Sequence, residues 1–346
     1  MKNTKLLIAA ELLIMALFFA ETAGAIQCKR PPLHEALDAL NSSFSVEVST
    51  VTVESWDNSV PAPADDNIYY VFTPKRRVPK TGFIILPGGN CDPRSYAPAA
   101  HAIAAKGFLT FIIPMPSCVA IFGYTRAGKI IQDYAQIEKW AIGGHSVGGT
   151  AASIYAVETT TISGVVIWAS LANTDPAKTL ANSTIKVLSV YGSQDGRATP
   201  ESVMENAEYL PTDTGFVEIK GGNHTQFGWI DPSPDPYLKD PDDKPATISI
   251  EQQQREIVRA TANFLEQFNK NACPVISLFG SNDPRTMTIA RFRNEILMKS
   301  LAGRSIIATY EKNGTTLVGI FEKHPVIKSS ARKVLETLLP VIELIL

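Results

Sequence analysis

The sequence predicts an α/β fold, a mostly parallel sheet with helices on both faces, followed by a small helical unit. Two observations carry this. Between "GFIILP" and "GFVEIKGG" short runs of nearly all-apolar residues alternate with helical stretches, and strands that are apolar on both sides belong to a parallel sheet covered on either face. Residues 273–346 instead form three or so amphipathic helical segments, clearest in "MTIARFRNEILMKS" and "SARKVLETLLPVIELIL". With 346 residues and 45% hydrophobic content, the chain can fill a large core and still carry an appendage.

Taken in order, "MKNTKLLIAAELLIMALFFAETAGA" has Lys2 and Lys5, an apolar stretch and the small-x-small pattern Ala23-Gly24-Ala25. It reads as a signal peptide over residues 1–25 cut after Ala25, so the protein is expected to be exported to a periplasmic, cell-surface or secreted location. Glu11 inside the apolar stretch is a blemish on that pattern, and an uncleaved anchor is the other reading, against which the apolar run is short. Gln27 before Cys28 is too large for a lipid-attachment site.

Residues 26–45 form an N-terminal segment. "FSVEVSTVTVESW" then alternates apolar and polar as a half-buried strand, with "IYYVFTP" as its partner. The alternating part follows: "GFIILP" with "SYAPAAHAIAAKG", "FLTFIIP" with "RAGKIIQDYAQIE", "WAIGG" with "VGGTAASIYAVE", then "GVVIWAS", "IKVLSVYG" with "PESVMENAEYL", and "GFVEIKGG". "DPSPDPYLKDPDDKPAT" (231–247) has no period and reads as a surface loop that shapes access to a site. "SIEQQQREIVRATANFLEQF" has Ile257, Val258, Ala262, Leu265 and Phe268 at helical spacing and closes a main domain spanning 46–270. The unit at 271–346 ends in an apolar helix, but Glu336 and Glu343 make it too charged for a transmembrane span. Lys+Arg 32 against Asp+Glu 34, with no basic block longer than "KRR", argues against a nucleic-acid partner.

Export makes the four cysteines disulfide candidates. Cys91 and Cys118 each follow a predicted strand and are expected to meet at one rim of the sheet. Cys28 and Cys273 would then tie the start of the mature chain to the end of the main domain, free thiols being the other reading.

In "AIGGHSVGGT" Ser146 stands between Gly144 and Gly148, after a strand and before a helix. Glycines on both sides let the chain turn sharply and expose the hydroxyl at the sheet's carboxyl edge, where the helix N-terminus also points its N–H groups. A capping serine in an ordinary turn is the plainer reading, so the weight falls on the partners. A serine nucleophile needs a base that takes its proton near neutral pH, and there are five histidines. His34 is in the N-terminal segment, His101 in a helix, His145 beside the serine and pointing away, and His324 in the C-terminal unit. His224 in "KGGNHTQF" follows the last strand and is the candidate base. Between them, Asp195 in "YGSQDGRATP" follows the penultimate strand and is the candidate acid, with Asp175 in "NTDP" as second choice. The "PGGN" turn at Pro87 to Asn90 supplies the N–H of Gly89, which with that of Val147 would form an oxyanion hole. Asp92, Arg94 and Tyr96 beyond that turn would contact substrate or simply start a solvated helix.

These motifs, "PGGNCDPRSYAP", "GGHSVGG", "YGSQDGRATPE" and "EIKGGNHTQFG", resemble the α/β-hydrolase superfamily over about residues 65–268, and within it the dienelactone-hydrolase-like branch of small esterases. The resemblance implies an α/β-hydrolase fold, Ser146 as nucleophile, Asp195 as acid, His224 as base, and neither metal nor organic cofactor. Dienelactone hydrolases use a cysteine nucleophile, so the serine here points to small carboxylic esters. The absence of a large lid insertion between the serine strand and Asp195 favours short acyl chains. A lactone, thioester or polyester would suit the same triad, and a non-catalytic binding scaffold would be marked by a broken one. The expected partner is a small ester; the sequence is silent on oligomeric state.

Residues 273–346 separately resemble the CFI-box C-terminal domain in "ARFRNEIL", "AGR", Tyr310, "KHP" and Pro340, with Cys273 at the place of that domain's leading cysteine. "CPVISLFGS" departs from its usual opening. That placement of Cys273 weakens its pairing with Cys28.

Overall fold

The computed structural model describes residues 28–54, 56, 67–76, 78–231, 242–269, 274–280 and 283–346. The predicted leader, Cys273 and residues 232–241 of the loop lie outside them. The chain divides into two compact units, one ending at Ala262 and the other running from Asn263 to Leu346.

The first unit is built in the order α1 (His34–Asp38), β1 (Val46–Thr52), β2 (Ile68–Pro74), β3 (Thr81–Leu86), α2 (Ala97–Ala105), β4 (Leu109–Ile112), α3 (Ala127–Asp133), β5 (Lys139–His145), α4 (Val147–Glu158), β6 (Ile162–Trp168), β7 (Lys186–Gly192), α5 (Pro200–Glu205), β8 (Gly215–Ile219) and the start of α6 (Ile250–Asn269). The eight strands form one sheet in the order β1-β2-β4-β3-β5-β6-β7-β8. The two stretches read as strand and partner do pair as β1 and β2, and they run antiparallel, from Val46 opposite Pro74 to Thr52 opposite Ile68. From β3 to β8 the pairing is parallel.

The apolar strands bury both faces because helices cover both. Ile84, Ile142, Val165 and Ile167 pack with Ile130 of α3 and Ala151, Ala152 and Tyr155 of α4 in one core cluster. On the other face Trp168 donates its indole N–H to Thr261 of α6 (3.0 Å), and Phe72 meets the His101 ring of α2. The carboxyl ends of β3, β5, β7 and β8 therefore open on one edge of the sheet, and the candidate residues follow those ends.

The expected cysteine pairing is not what forms. Cys28 is bonded to Cys118, and Cys91 is a buried free thiol. The path of the N-terminal segment is the cause. Arg30 bridges to Cys91 in parallel and Pro32 to Ile230 in antiparallel fashion, with hydrogen bonds from the Arg30 N–H to the Asn90 carbonyl and from the Leu33 N–H to the Trp229 carbonyl (both 2.9 Å). This carries Cys28 to the turn at Cys118, whose carbonyl accepts the Asn90 N–H (2.9 Å). The segment thus ties the turn after β3 to the loop after β8. Cross-linking residues 90 apart in sequence removes unfolded-state entropy worth about 4–5 kcal/mol. Urea unfolding of the Cys28→Ser/Cys118→Ser protein is expected to show a loss of about that size, with a steeper slope because the unfolded chain is no longer held compact by the bridge.

The second unit contains α7 (Pro274–Phe279), α8 (Pro284–Glu295), α9 (Leu301–Lys323) and α10 (Pro325–Ile345). The two clearest predicted segments correspond to α8 and α10. Helix α9 is 23 residues long and is harder to read because Gly303, Gly314 and Gly319 interrupt its pattern. Asp283 caps α8 and pairs with Arg285, which also reaches Glu336 of α10 (2.5 Å); the guanidinium holds the Asp283 carboxyl down to about 2. Tyr310 accepts the Val275 N–H (3.1 Å). Among the described residues no helix is long and apolar enough to cross a membrane.

Candidate active site

Ser146 sits at the tip of the β5–α4 turn with φ 52° and ψ −129°. A non-glycine residue held there costs about 1–3 kcal/mol, and surrounding packing must enforce it. The neighbouring glycines explain how. A Cβ on Gly144 would lie 2.6 Å from the Gly148 backbone, and one on Gly148 would lie 2.6 Å from the Pro87 carbonyl oxygen. Helix α4 is therefore pressed onto the end of β3, which brings the "PGGN" turn beside the serine. A Cβ on Gly89 would lie 3.5 Å from Val147 Cγ1, so the two proposed oxyanion donors are neighbours. The Ser146 carbonyl accepts the Ser170 hydroxyl (2.6 Å), pinning the turn from the end of β6.

Asp195 and His224 meet as a buried pair. The His224 Nδ1 lies 3.0 Å from Asp195 Oδ2, with the side chains 4% and 0% exposed. The other oxygen, Oδ1, accepts the backbone N–H groups of Arg197 and Ala198, both at 2.8 Å. A buried carboxylate with three donors is held in one orientation. The chain brings Ser146 to the same edge through His145, whose ring centroid is 4.6 Å from that of His224. No hydrogen bond joins the Ser146 hydroxyl to His224 among the described residues.

Several residues that support this pair escape sequence reasoning. Asp243 accepts the His224 N–H and the Thr225 N–H (both 2.9 Å) and the Thr225 hydroxyl (2.7 Å). The described end of the 231–247 segment thus braces the His224 loop, and it passes so near Gly196 that a Cβ there would strike the Asp242 carbonyl. From α6, Gln253 accepts the Asn223 N–H (3.0 Å) and donates to its carbonyl (2.7 Å), while Gln254 donates to the Gln226 carbonyl (2.7 Å). A signal for these was present: Gln253 and Gln254 precede Ile257 and Val258 by four residues, on the helix face that is buried. Gln253→Ala would strand both backbone groups of Asn223, at about 1–3 kcal/mol for each buried group left unsatisfied. Urea unfolding is expected to show a loss of about 2–6 kcal/mol, and turnover is expected to fall several-fold as the His224 loop loosens.

The other candidates fall elsewhere. Asp175 is exposed and accepts the Ala177 N–H in its own turn (3.0 Å). His34 is exposed beside Asp38, His101 packs in α2, and His324 joins α9 to α10. Asp92 caps the turn at 93–96 and pairs with Arg94 (2.6 Å). Tyr96 belongs to no solvated helix start: it is fully buried. His145 does not simply point away, because its ring runs beneath His224. Burial and the neighbouring His224 hold it well below the usual histidine range. Among the described residues no group of three or more His, Cys, Asp or Glu is placed to hold a metal ion.

A family model described as "Alpha/beta hydrolase family" matches residues 82–255, half of the chain. Among solved structures the chain is similar to the hyperthermophilic esterase from the archaeon Pyrobaculum calidifontis, at 12% identity over 68% of this chain and 87% of that one, TM-score 0.49. It is also similar to Est1E from Butyrivibrio proteoclasticus, at 15% identity over 59% and 95%, TM-score 0.44. A third likeness is to Thermogutta terrifontis esterase 2 phosphorylated by paraoxon, at 13% identity over 66% and 95%, TM-score 0.46. No curated protein matches the chain.

Proposed function

Since the chain belongs to the alpha/beta hydrolase family, we propose that it is an exported serine esterase of small carboxylic esters, of the dienelactone-hydrolase-like branch but with serine as nucleophile. The observation that carries the reading is the buried Asp195–His224 pair at the edge of the sheet where the strained Ser146 turn stands. His224 takes the Ser146 proton through Nε2 while Asp195 holds the proton on Nδ1 and stabilises the imidazolium. The serine oxygen attacks the ester carbonyl, and the N–H groups of Gly89 and Val147 receive the developing oxyanion. The tetrahedral intermediate collapses, His224 protonates the departing alcohol, and an acyl-enzyme remains. Water deprotonated by His224 then releases the acid and restores the serine.

The Cys28–Cys118 bond supports export, since such bridges persist in oxidising compartments, and residues 271–346 are proposed as a CFI-box-like appendage without a catalytic part. Hydrolysis of p-nitrophenyl esters of increasing acyl length by the chain from Ile26 tests the reading. Activity that peaks at short acyl groups is the expected outcome. A folded protein that hydrolyses none of them and takes up no fluorophosphonate would sink it.

A further inference from the structure

Beneath the proposed triad lies a buried polar chain that the reaction as written does not use. The Tyr96 hydroxyl accepts the Gly88 N–H (3.0 Å) and lies 2.8 Å from His145 Nδ1. The His145 ring stacks on Phe227 (centroids 5.8 Å, 10° between planes) and leans on His224. Three site segments meet here: the turn after β3 through Gly88, the nucleophile turn through His145, and the base loop through His224 and Phe227. There is no slack, since a Cβ on Gly88 would lie 2.8 Å from His145 Nδ1 and 3.0 Å from the Tyr96 oxygen.

The proton positions follow from donor and acceptor counting. A backbone N–H can only donate, so Tyr96 receives from Gly88 and keeps its own proton to give. The Cys91 thiol already donates to the Gly89 carbonyl (3.4 Å), and burial keeps it protonated. The nearest acceptor for the tyrosine proton is His145 Nδ1. An Nδ1 that accepts puts the ring's proton on Nε2. That atom is buried and has no hydrogen-bond partner among the described residues.

We propose that Tyr96 and His145 are positioning residues for the base: Tyr96 fixes His145 as the Nε2–H tautomer, and that ring braces the His224 loop against the nucleophile turn. The inference rests on the hydrolase reading above. It also explains why a second histidine can stand against the base. During each half-reaction His224 becomes an imidazolium, and a charged neighbour at this distance would oppose that. The groups facing His145 are Tyr96 and Cys91 beyond β3, Arg30 of the N-terminal segment, Arg197 beyond β7 and His224 beyond β8. His224, Arg30 and Arg197 all disfavour a proton on it, and the Tyr96 donor occupies the lone pair such a proton would need. The ring stays neutral throughout the cycle.

The test combines Tyr96→Phe, His145→Phe and the double variant with histidine nitrogen NMR of the full mature chain. In the wild type, His145 is expected to show an unprotonated, hydrogen-bonded Nδ1 and a protonated Nε2, a signature that does not depend on any substrate. Tyr96→Phe should lower kcat by on the order of tenfold, as small misplacements of catalytic groups do, with KM for p-nitrophenyl acetate unchanged. In the His145→Phe background the Tyr96 change should cost kcat nothing further. Additive losses in kcat, or a protonated Nδ1 in the wild type, would each overturn the proposal. A wild type that neither hydrolyses esters nor binds fluorophosphonate would instead overturn the esterase reading, and the positioning role with it.

Discussion

Ser146→Ala is expected to lower ester hydrolysis by a factor on the order of 10⁶ in kcat, the size of effect seen when a triad nucleophile is removed. The loss is chemical, because the turn that presents residue 146 is set by its neighbours. Gly144, Gly148 and the end of β3 enforce the positive φ, and the Ser170 hydroxyl holds the carbonyl of residue 146, which alanine also has. Alanine at φ 52° forfeits no side-chain hydrogen bond, since none is formed among the described residues. The thermal midpoint should therefore shift by only a few degrees while fluorophosphonate labelling disappears. Residual turnover comparable to the wild type would show that another group attacks the ester, and the assignment of Ser146 would fall.

What the sequence showed plainly was what local chemistry decides. Apolar runs on both faces of β3 to β7 announced a covered parallel sheet, and the glycines around Ser146 announced a sharp turn, because neither depends on distant residues. The order of the motifs then placed Asp195 and His224 beyond β7 and β8, and the structure joins them. What it hid was set by the path of the chain between elements. Cys28 finds Cys118 because residues 28–33 run from the turn after β3 to the loop after β8, a route with no periodic signal. Asp243 lies in a stretch whose Asp and Pro content says only that it is a loop. Tyr96 and His145 are polar residues inside apolar surroundings, and their meaning depends on a contact across 49 positions of sequence. Gln253 and Gln254 were the nearest to legible, since helical spacing from Ile257 and Val258 places them on the buried face.

The second large effect concerns Asp195→Asn, which is expected to reduce kcat by on the order of 10⁴-fold with little change in fold. The geometry fixes how the amide must sit. In the wild type Oδ1 receives two backbone N–H groups, from Arg197 and Ala198, while Oδ2 faces His224. An asparagine can accept those two N–H groups only through its carbonyl oxygen, so its NH₂ is forced toward the imidazole. His224 Nδ1 must then accept, and the ring's proton moves to Nε2, the atom that has to receive the serine proton. The base is present, correctly placed, and in the wrong tautomer. Because substrate binding does not involve residue 195, kcat should carry the loss while KM holds, and fluorophosphonate labelling of Ser146 should slow in parallel. Nitrogen NMR would locate the His224 proton directly. A variant whose His224 keeps its proton on Nδ1, or whose kcat falls less than tenfold, would mean that Asp195 only packs the loop and that the triad reading is wrong at its third member.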